Sequence, residues 1–75
     1  MSQMYYDLLQ KIEKFDDELR KCLNDLDDAQ RYLSNGFNIN GTTAFLYDIN
    51  RGRSIINNTR NNISNIIIPE IKKNI

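Results

Sequence analysis

The spacing of apolar side chains over residues 5–33 constrains this chain more than any other feature. Tyr5, Leu8, Ile12, Phe15, Leu19, Cys22, Leu26, Ala29 and Leu33 follow one another at gaps of three and four, alternating without a break over four heptads. Only a helix keeps that period, and the stripe it draws is the seam of a rod packed lengthwise on another rod. No Gly or Pro interrupts residues 2–35, so the first helix is expected over about 3–35. At 1.5 Å per residue it is roughly 45–50 Å long. Carboxylates stand four residues before bases on its outer side: Asp7 and Lys11, Asp16 and Arg20, Asp17 and Lys21, Asp27 and Arg31. Each such pair adds about 0.2–0.5 kcal/mol to an isolated helix.

Asn35-Gly36 reads as the helix stop, because Asn and Gly take a left-handed backbone cheaply. A tight turn over 36–42 follows, with Thr42 or Thr43 expected to cap a second helix over about 43–68. The second stripe is Phe45, Ile49, Gly52, Ile56, Thr59, Ile63 and Ile66, again at gaps of four and three. Pro69 lacks an N–H donor and crowds the preceding turn. The helix is therefore expected to kink or stop near Ile68, leaving a short tail turn over 69–75. A connection this short between long helices makes them antiparallel neighbours. The fold class is all-α: one antiparallel two-helix hairpin, coiled-coil-like, over residues 1–75.

Several large apolar residues lie beside these seams. Met4, Leu9, Leu23 and Tyr32 flank the first, and Leu46, Ile55, Ile67 and Ile68 flank the second. Two helices hide one stripe each against one another and leave such flanks wet. Hiding one Leu or Ile is worth roughly 1.5–3 kcal/mol, so eight of them are a substantial drive to associate. Seventy-five residues also bury little surface, and cores of that size supply about 3–5 kcal/mol. A single cysteine makes no disulfide within the chain, and there is no histidine. The flanks are therefore expected to form an interface with a partner chain that completes a helical bundle.

The same residues argue against chemistry. Cys22 sits on the seam, where a small buried thiol is inert. Asp16-Asp17 and Asp27-Asp28 lie on the solvated side among bases. No metal, cofactor or small-molecule site is expected, and no catalytic residue. Net charge is zero, with eight acids against five bases in residues 1–35 and two against five in residues 36–75. The imbalance fits one helix lying on the other. Arg51, Arg53 and Arg60 lack the interleaved aromatics of a nucleic-acid surface, so none is expected to bind there. The longest apolar run is Ile66-Ile67-Ile68, too short to insert in a membrane. Residues 1–3 lead into the helix without the basic and apolar regions of a cleavable signal. Three Asn-X-Ser/Thr triplets, at Asn40, Asn57 and Asn62, are the background of an Asn-rich chain.

The turn carries one resemblance. Ile39-Asn40-Gly41, followed by Ala44 and Phe45, resembles the centre of the WXG-type small helical hairpins of bacterial type VII secretion. In those proteins an aromatic, any residue and Gly form the turn, with Ala and an aromatic opening the second helix. Ile39 stands where Trp would be, and the chain has no tryptophan. In character it is similar to the small helical partners of LXG toxins. The resemblance implies a non-enzymatic adaptor that binds the toxin's N-terminal helical region, and with it a second small helical protein, for export. It implies a bacterial cytoplasmic protein, exported together with its partner. The family's export tail, Tyr with an acidic residue four positions on, is absent. Tyr5, Tyr6, Tyr32 and Tyr47 are followed there by Leu9, Gln10, Gly36 and Arg51. The partner would then complete the signal. The alternative is a self-assembling structural hairpin, a homodimeric four-helix bundle or filament subunit.

Overall fold

The computed structural model describes residues 2–35 and 40–75, and among them it is helical with no strand. Helix α1 spans Ser2–Ser34 and α2 spans Thr42–Asn62. A π-helical segment, Ile63–Ile67, joins α2 to α3, Ile68–Lys73, so the second arm runs on as one rod. The expected cap at Gly36 and Ile39 of the turn lie outside the described residues. The hairpin measures 55 × 15 × 14 Å with a radius of gyration of 16.8 Å. A compact domain of this length would have about 11 Å.

The two arms are antiparallel. Arg60, late in α2, pairs with Asp16, and Arg53, one heptad earlier, pairs with Asp27, further along α1. The second arm opens on Gly41, whose φ of 87° is left-handed and whose carbonyl accepts from the Phe45 N–H at 3.0 Å. Gly41 itself is the N-cap, and it has no side chain with which to cap. The sequence expectation placed that role on Thr42 or Thr43; glycine takes it because the left-handed backbone costs it nothing.

Pro69 does not end the helix. The Ile68 N–H reaches back five residues to the Ile63 carbonyl, which widens the turn by one residue. The physical reason lies in the pattern. A regular α-helix would bring Ile67 and Glu70 under Ile63 on the inner side. The extra residue brings Ile68 and Ile71 there instead, so Ile71 is buried and Glu70 stays exposed. The wide turn also sits where a regular one would press the proline ring on the Asn65 carbonyl. Residues 69–73 are thus helix rather than a tail turn.

The packing seam is rotated from the expected one. With Tyr5, Ile12, Leu19, Leu26 and Leu33 as heptad position a, the inner residues of α1 are these and position e, Leu9, Asp16, Leu23 and Gln30, with Ala29 of the expected d row also half-covered. On the second arm they are Ile49, Ile56 and Ile63 at a, with Leu46, Arg53 and Arg60 at e; Gly52 and Thr59 of the expected seam are half-covered too. Leu8, Phe15, Cys22 and Ile66, expected inside, are exposed. Leu9, Leu23, Leu46 and Ile68, expected outside, are at least half-covered. The e rows win because they are complementary, placing Asp16 against Arg60 and Gln30 against Arg53. Only Ile49, Ile63 and Ile71, at 3 %, 5 % and 6 % exposure, are buried among the described residues.

Candidate functional site

Turning both helices toward their e rows gives the hairpin two unlike sides. On one side a polar ladder crosses between the arms. The Arg60 Nε donates to Asp16 Oδ1 at 3.0 Å and its Nη2 to Asp16 Oδ2 at 3.3 Å. This two-pronged fork is the geometry in which Arg holds a carboxylate best. Arg53 Nε donates to Asp27 Oδ1 at 3.0 Å, its Nη1 to Asn50 Oδ1 at 2.8 Å, and its Nη2 to Gln30 Oε1. The Asp16 bond raises the pKa of Arg60. Two of the three α2 arginines are thus engaged within the hairpin, and the third, Arg51, lies 5.8 Å over the Tyr47 ring.

The opposite side holds the d and g rows of both helices, which point the same way because antiparallel neighbours pair e with e and g with g. From α1 come Met4, Leu8, Phe15, Cys22 and Tyr32, all exposed. From the second arm come Phe45, Ile55 and Ile66, with Gly52 and Thr59 on the same row. Phe15 is 46 % exposed and Phe45 51 %. The Thr59 hydroxyl donates to the Ile55 carbonyl at 2.9 Å, so it offers the face no polar demand. A β-carbon built on Gly52 would stand 3.9 Å from Leu26, so at this position the row touches the other arm.

Of the residues expected at a partner interface, Met4, Tyr32, Ile55 and Ile67 are exposed, whereas Leu9, Leu23, Leu46 and Ile68 are turned toward the other arm. Leu8, Phe15, Cys22 and Ile66 take their places. Of the turn motif, Gly41, Ala44 and Phe45 are described, and Gly41 is left-handed. The feature that sequence reading missed is the polar e row. Asp16, Gln30, Arg53 and Arg60 were visible at seven-residue spacing, but counting apolar residues gives them no weight.

The chain exposes 5819 Å², whereas a compact monomer of 8.8 kDa exposes about 4,800 Å²; the surplus belongs to the elongated hairpin as a whole. No described helix is long and apolar enough to cross a membrane. Among the described residues no group of three His, Cys, Asp or Glu side chains is placed to hold a metal. Comparison with protein-family models, with curated proteins and with solved structures finds no match.

Proposed function

We propose that this chain is a non-enzymatic helical adaptor whose open face docks on helices of another protein. One observation carries the reading. Each helix packs on its neighbour through a row that mixes Leu with Asp, Gln or Arg, and leaves the large side chains of its more apolar row, Leu8, Phe15, Phe45 and Ile66, in water. A hairpin built to stand alone would bury the greasier row. Exposed apolar faces of this extent mark interaction sites, and amphipathic helices are what fit a long helical groove. The polar ladder on the other side fixes the register of the arms, so the face is presented pre-formed.

The partner we propose is the N-terminal helical region of an LXG-type toxin, with the complex delivered to a bacterial type VII secretion machinery. The turn supports this identity: left-handed Gly41 stands where the family's Gly does, with Ala44 and Phe45 opening the next helix. The test is co-expression with the N-terminal helical region of an LXG-type toxin, taken from a neighbouring gene where the genome carries one. A stable heteromer is expected, with the Cys22 thiol at the centre of the face shielded from maleimide by tenfold or more. Failure to form a complex, or a complex in which Cys22 reacts at its free rate, overturns the proposal.

A further inference from the structure

Three carboxylates border the open face without an ion-pair partner among the described residues. We infer that the helix docking there is a basic one, with lysines or arginines flanking its apolar stripe. The inference rests on the reading of this face as the docking surface and specifies the chemistry of what docks.

Where helices pack lengthwise, the apolar row supplies affinity, and the row beside it sets the choice of partner through its charges. Beside the exposed d rows that role falls to the g rows. On α1 the g row is Met4, Lys11, Glu18, Asp25 and Tyr32, and on α2 it is Asp48, Ile55 and Asn62. Glu18, Asp25 and Asp48 are the three carboxylates, and all are exposed. The hairpin's own cations are largely committed elsewhere. Arg53 and Arg60 are held in the polar ladder on the other side. Of the bases one turn from the three acids, Lys21 is held by Asp17 and Arg51 lies over Tyr47, which leaves Lys14 beside Glu18.

The antiparallel register gathers these acids on one half of the face. Arg60 pairs with Asp16, so Asp48, further toward the turn on α2, lies about level with Asp28 of α1, just beyond Asp25. Carboxylates therefore stand on both rims of the half nearer the turn: Glu18 and Asp25 on one, Asp48 on the other. Lys11, the one base of the two rows, stands toward the chain ends beside Leu8 and Ile66. A docked helix thus meets mainly apolar side chains over one half and a carboxylate on each flank over the other. A lysine or arginine there lays its methylene stem on the apolar floor and reaches a carboxylate with its charge. An acidic helix would bring like charges together, which selects against it.

The full chain tests this with two synthetic helical peptides, each about four heptads long. Both carry leucine on the apolar stripe; one has lysine at the flanking positions and the other glutamate. Binding is read by anisotropy, and coverage of the face by maleimide labelling of Cys22. At low salt the lysine peptide should bind about tenfold more tightly than the glutamate peptide and shield Cys22. The preference should shrink toward equality at about 1 M salt, where screening acts within about 3 Å. Glu18→Lys, Asp25→Lys and Asp48→Lys together should invert it. Glu13→Lys, at an exposed acid off these rows, should leave it in place. Equal binding of both peptides with Cys22 shielded overturns the charge selection and leaves the docking face standing. So does tighter binding of the glutamate peptide that shields Cys22. A lysine peptide that binds without shielding Cys22 sits on another surface and overturns the inference. Binding of neither peptide overturns it even where the toxin region shields Cys22. Cys22 already shielded in the free chain at micromolar concentration makes a second copy the occupant and overturns it as well. The docking reading itself falls when neither the peptides nor the toxin region shield Cys22.

Discussion

Arg60 forks onto Asp16 across the hairpin, two hydrogen bonds of 3.0 and 3.3 Å joining residues 44 apart in sequence. Both side chains are largely covered, at 31 % and 22 % exposure. The pair holds the arms one heptad from the Arg53–Asp27 bridge, so together they set both register and rotation. Asp16→Ala leaves a largely covered guanidinium without its acceptor. It should lower Tm by roughly 5–10 °C in a domain this small. Arg60→Lys keeps the charge but loses the fork, and should fall between that variant and the unaltered chain. Thermal melts followed by circular dichroism distinguish these outcomes from the near-zero effect of an exposed ion pair such as Lys73–Glu70.

The two described glycines should respond in opposite directions. Gly52 is in mid-helix, and a methyl there would rest 3.9 Å from Leu26, an ordinary contact. Gly52→Ala should therefore stabilise the isolated hairpin by about 0.5–1 kcal/mol through helix propensity. Gly41 has free space around it, but its φ of 87° strains any side chain. Gly41→Ala should cost about 1–2 kcal/mol. Urea titration of both variants measures the two signs.

The hairpin was legible in the sequence because helix length, period and reversal are local properties. The unbroken stripe from Tyr5 to Leu33 could be nothing else. Which flank of that stripe faces the other arm was not legible from apolar counting. Leu8 and Leu9 are equivalent on that scale, as are Cys22 and Leu23. The choice between them is made by Asp16 meeting Arg60 and Gln30 meeting Arg53, pairings that exist only once the arms are in register. The π segment was illegible for a related reason. Pro69 signals trouble for a regular helix, but the remedy depends on Ile71 having a place to be buried.

Stability should be level through neutral pH and fall in acid. Asp17 has its pKa lowered, first by the hydrogen bond from Arg20 and then by that from Lys21. A carboxylate held low contributes stability above its unfolded range and loses it as pH falls through the folded value. Arg60 is raised by Asp16, so its contribution is present at all ordinary pH and is lost only in strong alkali. There is no histidine to titrate in between. Melting temperatures from pH 8 to pH 2 should show one downturn, beginning at the ordinary carboxylate range. A transition near pH 6–7 would contradict this assignment.

The π segment makes the last and most specific prediction. Its single extra residue places Ile71 at 6 % exposure instead of Glu70, and of the two effects it serves, burial rather than relief of the proline clash is expected to hold it open. Pro69→Ala restores the missing donor but not the pattern. It should therefore keep the wide turn, with the Ile68 amide still bonded five residues back. Deleting Asn65 together with Pro69→Ala removes the extra residue and returns Ile68 and Ile71 to the inner side of a regular α-helix. That double variant should melt higher than either parent, whereas Asn65 deletion alone should suffer the proline clash. Ile71→Ala should cost about 2–5 kcal/mol in every background that keeps it buried. Backbone chemical shifts and amide exchange at Ile68 report the hydrogen-bond pattern directly. A regular helix in Pro69→Ala would show that the proline, rather than Ile71, is what widens the turn.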